Sequence, residues 1–320
     1  MFVKKILPTL IALGAFILVF AYYQYFQKEK LAKEDQKTHI WQEDQNKITE
    51  IEISGENQAI KIKRNGSTWD IASPIEYPAN SYTIDTILSN FSSPEVNGLV
   101  EENPKDLSIY GLDPPVKNIT LTTDEGVSRA LSLGYSAPLG KGYYVLDQDT
   151  KKVYTMAASL WSEVSLEVNS FRNKNLLSFD EEAVSKIEIK NNDTTFTITS
   201  KEEDLNTRWY SGDKKLNEVK INTFLASLRG KVIKEFTVDH PDEESLDQYG
   251  LKTPRAAITL YLNDEKNSTL TLYAGNTVEE DEDTYVTLAD KQFIYKVQAT
   301  SLLPAELTID QFVVTEKDEK

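Results

Sequence analysis

One phrase occurs twice in this 320-residue chain, and that recurrence limits the possible folds more than any other feature. Leu107-Ser108-Ile109-Tyr110-Gly111-Leu112-Asp113-Pro114-Pro115 returns as Leu246-Asp247-Gln248-Tyr249-Gly250-Leu251-Lys252-Thr253-Pro254, with Tyr110 and Tyr249 139 positions apart. The segments flanking both copies match in the same order. A fixed internal period of this length means one domain written twice, so whatever fold suits the first copy must suit the second.

The two copies run in parallel through the whole soluble part. Ile48-Thr49-Glu50-Ile51-Glu52-Ile53 and Val184-Ser185-Lys186-Ile187-Glu188-Ile189 both alternate apolar and polar residues, as a strand with one buried face does. Second strands are predicted over Ala59–Arg64 and Thr195–Ser200, and short third strands around Trp69 and Trp209. A helical stripe comes next, Ile84, Ile87, Leu88 and Phe91 in one copy and Ile221, Phe224, Leu225 and Leu228 in the other. After the shared phrase, strands are predicted at Asn118–Thr122, Ala130–Gly134, Tyr143–Leu146 and Lys152–Thr155. Their counterparts are Ala257–Leu262, Thr269–Tyr273, Thr284–Leu288 and Phe293–Val297, and a short helix starts near Ala157 or Ala299. Many short strands, one packed helix and tight turns define an α+β fold: two homologous tandem domains of mainly antiparallel sheet.

The phrase itself reads as a helix stop. Asn103-Pro104-Lys105-Asp106 offers a cap, a proline for the first helical position and an early acidic residue. Gly111 can then take the left-handed conformation, Leu112 folds back, and Pro114-Pro115 prevents continuation. Pro241, Gly250, Leu251 and Pro254 repeat the device. Tyr110 and Tyr249 are expected to pack on the sheet and hydrogen-bond through their hydroxyls. The functional alternative makes Tyr110, Gly111, Leu112, Pro115, Tyr249, Gly250, Leu251 and Pro254 a partner-docking motif.

Placement comes from the N-terminus. Ile6 to Tyr25 is an uncharged run of twenty residues. As a helix it would reach about 30 Å, the thickness of a bilayer core. Tyr22, Tyr23, Tyr25 and Phe26 fall where interfacial aromatics sit. A cleaved leader is the rival, with Val19 and Ala21 as its small-x-small site, although such apolar regions are shorter. Lysines flank the run on both sides (Lys4 and Lys5; Lys28, Lys30, Lys33 and Lys37), so orientation rests on long domains crossing regardless of local charge. A single-pass anchor with the domains outside the cytoplasm is the expectation.

Composition narrows the chemistry. With no Cys there is no thiol nucleophile, disulfide or thiolate metal site. The net charge of −16 opposes nucleic acid and anionic lipid headgroups alike. Of the two histidines, His39 falls on a charged stalk near Trp41 and His240 beside Pro241, neither near a nucleophile elbow. Gly134 to Gly142 reads as a hairpin connection and not a phosphate loop. Glu279-Glu280-Asp281-Glu282-Asp283 is the one candidate cation site, but it lacks the spacing of a calcium loop. No catalytic residue, cofactor or resident metal is therefore expected. Paired carboxylates, as in an envelope hydrolase, stay open because separations are set by the fold, as does a ligand site between the repeats.

The single span, the strand–strand–Trp–helix opening and the Leu-x-x-Tyr-Gly-Leu-x-x-Pro phrase together resemble the bacterial domain-of-unknown-function family 4340, over about residues 1 to 305. The second copy departs with Lys252-Thr253-Pro254 in place of the double proline. The resemblance implies no activity and no catalytic residues. It does imply an accessory role, since members are often encoded beside ABC-type transport systems akin to those of gliding motility. The expected organisation is a cytoplasmic tail (1–5), a transmembrane helix (6–26), a charged helical linker (27–46), a first domain (47–168), a linker (169–182), a second domain (183–310) and a charged tail (311–320). The expected partners are the membrane and proteins of the bacterial envelope, ABC transporter subunits among them, with no nucleic acid.

Overall fold

The structure, a computed structural model, describes residues 16–17, 19–20, 22–24, 38–191, 194–203, 206–278, 283–298 and 307–314. Most of the 6–26 span lies outside these residues; Phe16, Ile17, Val19, Phe20, Tyr22, Tyr23 and Gln24 are helical and exposed. Among the described residues no helix is long and apolar enough to cross a membrane. The run Glu279 to Glu282, the helix near Ala299 and residues 315–320 also lie outside. Contacts divide the chain into two units, 1–173 and 174–320.

The first unit is an antiparallel sheet with helices laid against it. Its elements are β1 (Thr38–His39), β2 (Ile48–Ser54), β3 (Ala59–Asn65), β4 (Thr68–Ser73), β5 (Tyr77–Pro78), α1 (Ser81–Phe91), β6 (Glu95–Val96), β7 (Gly98–Glu101), β8 (Lys117–Thr123), β9 (Ser128–Ser136), β10 (Tyr143–Asp147), β11 (Val153–Met156) and α2 (Ala158–Glu163). Nine of the strands form one sheet in the order β5-β4-β3-β2-β8-β9-β10-β11-β7. Alternation decides which face is buried: Ile51 and Ile53 of β2, Ile60 and Ile62 of β3 and Ile119 and Leu121 of β8 all point inward. Onto that face α1 lays Ile84, Ile87, Leu88 and Phe91, all buried. At roughly 1.5–3 kcal/mol per fully buried large apolar side chain, this stripe is the helix's main reason to form. Asn80 starts it by accepting the Thr83 N–H at 3.1 Å.

The second unit repeats the plan. It comprises β12 (Val184–Asn191), β13 (Thr194–Glu203), β14 (Asn206–Ser211), β15 (Lys214–Lys215), α3 (Glu218–Arg229), β16 (Glu235–Asp239), α4 (Glu243–Gln248), β17 (Ala256–Leu262), β18 (Thr269–Val278), β19 (Asp283–Leu288) and β20 (Phe293–Gln298). Its nine strands run β15-β14-β13-β12-β17-β18-β19-β20-β16, the same order position for position. Ile221, Phe224, Leu225 and Leu228 form the buried stripe of α3. Asn217 caps it on the Lys220 N–H at 3.2 Å, as Asn80 does for α1.

One expectation is corrected. The stalk is not helical over residues 38–44, and only Gln45–Lys47 makes a single 3-10 turn: β1 pairs with β6, and the Trp41 indole donates to the Phe91 carbonyl at 3.1 Å. Apolar Trp41 finds cover against α1 that an isolated stalk would not give it. The 169–182 segment, within which the two units divide, is anchored on both sides. Phe171 and Arg172 are buried in the first unit, and Leu176 and Leu177 in the second; apolar side chains at this density are drawn into the nearest core. Finally, β7 and β16, which no local pattern in the sequence marks, each close the far edge of a sheet beside β11 and β20.

Candidate functional site

Each copy of the duplicated phrase folds into a turn at one end of its sheet. In the first unit Asp106, not Asn103, begins it, accepting from the backbone N–H of Ser108 at 2.9 Å and from its hydroxyl at 2.5 Å. The chain then makes a single 3-10 turn, Ser108–Tyr110, too short for a helix beginning at Pro104. The second copy does form a helix, α4, capped by Asp242 on the Ser245 N–H at 2.8 Å. Both end alike. Gly111 and Gly250 have φ of 66° and 71°, where an L side chain is strained. The carbonyls of Leu107 and Leu246 then accept the Leu112 and Leu251 amides at 3.1 and 2.7 Å.

Most of the predicted docking residues turn inward. Leu112 and Leu251 are 3% and 0% exposed and anchor small apolar clusters, with Leu146 and Val153 in one unit and Ile294 in the other. Tyr110 is half-buried against Tyr144 at 4.8 Å and donates its hydroxyl to Glu101 at 2.8 Å; that bond, with burial, raises the phenol above its ordinary range. Tyr249 packs on Tyr285 at 4.5 Å. Pro115 and Pro254 are half-buried. The turn is held from beneath by two glycines outside the duplicated phrase. A Cβ on Gly134 of β9 would collide with the Tyr110 carbonyl, and one on Gly275 of β18 with that of Tyr249. A glycine inside a strand pattern signals this kind of backbone approach, and it is the one cue in the sequence that could have found them.

The outward face differs between copies. In the first unit it carries Ile109, Val116 and Tyr135, all exposed, with the Tyr135 ring over Gly111. The positions corresponding to them hold Gln248, Arg255 and Asn276 in the second unit. Even the carbonyl beneath the turn is satisfied differently: Trp161 Nε1 donates to Gly134 O at 3.2 Å, whereas Arg255 Nε donates to Gly275 O at 2.8 Å. The scaffold is shared and the surface is not.

Beside this end lies a strongly perturbed cation. Lys117, in phase with buried Ile119 and Leu121, is 5% exposed. Its ammonium donates to the Trp161 and Val164 carbonyls at 2.5 and 2.6 Å, just where α2 ends, and sits 3.5 Å from the Trp161 ring centre. Those carbonyls and the indole face favour the charged form, yet burial pulls the ammonium down to about 8. The group faces backbone, so it clamps a helix end and has no reacting partner within that contact set.

The remaining clefts are shallow in chemistry. One of about 540 Å³ is lined by Gln58, Ile60, Pro74 and Leu166. Another, in the second unit, includes Glu181 and Glu218, each ion-paired to an arginine, Arg229 and Arg208 respectively. His39 lies on β1, with Nδ1 3.0 Å from both the carbonyl and the hydroxyl oxygen of Ser93. The carbonyl contact is a hydrogen bond only when Nδ1 carries the proton, whereas the hydroxyl can pair with either tautomer. Among the described residues no three His, Asp or Glu side chains converge as a metal ligand set. The acidic run lies outside them except Asp283, which is buried and paired with Lys234 at 2.6 Å.

A family model described as Domain of unknown function (DUF4340) matches residues 69–248 and again 231–316. No curated protein and no solved structure matches the chain.

Proposed function

Because this chain belongs to the DUF4340 family, which lends it no activity, we propose from its own surfaces that it is a membrane-anchored accessory protein whose two units present docking faces outside the cytoplasm. One observation carries the reading: the duplicated turn keeps its buried half in both units while its outer positions diverge, apolar at Ile109, Val116 and Tyr135, polar at exposed Gln248 and Asn276 and half-buried Arg255. A residue selected for packing alone has no reason to change character between copies of one fold. An exposed apolar patch on one copy is the mark of a surface that meets something. The uncharged run Ile6 to Tyr25 supplies the anchor, and envelope complexes, ABC-type transport systems among them, are the proposed partners.

Cross-linking in intact cells coupled to mass spectrometry tests this. Adducts to subunits of one envelope complex should map to the first-unit turn and fall at least about tenfold in Ile109→Asp with Val116→Asp, since losing two apolar contacts removes more than about 1.4 kcal/mol. Gln248→Asp should leave them unchanged. Recovery of the protein without partners, or adducts indifferent to the first-unit substitutions, would sink the reading.

A further inference from the structure

We propose that the β9–β10 tip of the first unit, Pro138-Leu139-Gly140-Lys141, rests in the surface of the bilayer, with Leu139 as the inserted side chain. The proposal builds on the membrane-anchor reading above. Leu139 is 94% exposed, the most exposed large apolar side chain among the described residues. Its φ of 59° is a conformation that glycine and asparagine adopt far more readily than leucine. The fold thus holds a leucine outward, in a costly backbone, almost wholly in solvent. The tip is nonetheless fixed: Ala137 donates to Gly142 O at 2.7 Å, and Asn97 Nδ2 to Lys141 O at 3.1 Å.

That second bond ties the tip to the place where the chain arrives from its anchor. Asn97 directly succeeds β6, whose Val96 pairs with Thr38 of β1. Only residues 27–37 separate Thr38 from the apolar run. Even fully extended they reach ~40 Å, so Thr38 stays within that distance of the anchor's end. The side chains around the tip suit an interface. Tyr143 stacks on Trp161 at 4.4 Å, both half-buried; amphipathic rings of this kind settle at headgroup level. Exposed Lys141 can reach lipid phosphate. With a chain charge of −16, attachment would be shallow apolar insertion and not electrostatic adsorption. The same connection in the second unit, between β18 and β19, carries the acidic residues Glu279 to Glu282 in its sequence and would be repelled from lipid.

The chain has no cysteine, so single labels are unambiguous. Full-length Leu139→Cys, Lys151→Cys and Phe16→Cys proteins, each carrying an environment-sensitive fluorophore, would be reconstituted into phosphatidylcholine vesicles containing a spin-labelled lipid quencher. Lys151 lies in the β10–β11 turn, at the opposite end of the sheet. The label at 139 should be quenched several-fold more than that at 151. If 139 matches 151 while 16 reads the bilayer interior, the tip assignment is overturned and the anchor stands. Should 16 also read water, the anchor fails and this proposal falls with it. A label at 139 that is exposed in pure lipid but shielded in native membranes would identify a protein partner and overturn the lipid assignment.

Discussion

At the scale of single residues, Gly134 and Gly275 hold the duplicated turn as firmly as its own glycines do. Gly134→Ala and Gly275→Ala force a side chain onto a backbone carbonyl, and each should cost at least ~2 kcal/mol in urea unfolding, within the range for strained backbone and overpacking. Gly111→Ala and Gly250→Ala should lose ~1 kcal/mol or more from positive φ. Gly98→Ala, in open space at ordinary φ, should stay within about 0.5 kcal/mol. Lys117 makes a pH prediction. Its folded value, about 8, lies below the ordinary 10.5. Between the two the unfolded chain binds more protons, so stability from this group rises with pH across that window. Below about pH 8 both states are protonated and the desolvation cost is fully present. Melting temperature should therefore climb above about pH 8, relative to the background, and Lys117→Met should abolish that component. The turn's own glycines were legible because only one conformation ends a helix that way. Gly134 was not, since its partner carbonyl comes from a segment more than twenty residues earlier.

At the scale of elements, the helices were legible and the edge strands were not. Ile84, Ile87, Leu88 and Phe91 repeat at helical spacing behind Asn80, and every one is buried. Asn80→Ala and Asn217→Ala should each cost about 1 kcal/mol by removing the cap bond. The measurement is unfolding free energy, with hydrogen exchange localising the loss to the first turn of α1 or α3. A full-length effect elsewhere and none at that turn would refute the assignment. Strands β5, β7 and β15 span only two to four residues, too few for a period to show. Their existence depends on a partner strand waiting at the sheet edge, which no local pattern announces. The cap of the first turn was misplaced for a related reason. Asn103-Pro104 and Asp106 are both chemically fit to start a helix, and the distance back from Gly111 selects Asp106.

At the scale of the molecule, the duplication was fully legible, and the two sheets share one strand order. Polar residues dominate 169–182 and suggest a flexible connection, while Phe171 and Leu176 decide where the segment goes. The divergent faces of the two turns emerged only once Gly111 and Gly250 fixed which neighbours are exposed. The shared strand order also bears on how the protein is made. In each unit the central pairing joins distant segments, β2 with β8 and β12 with β17. Any strand fit to lie beside β2 is nearly fit to lie beside β12, and tandem copies can exchange partners while both are unfolded. Synthesis from the N-terminus resolves that competition by timing. Thr123, the last residue of β8, leaves the ribosome before β12 has begun and long before β17 exists. The first sheet can close on itself while its imitation is still unmade.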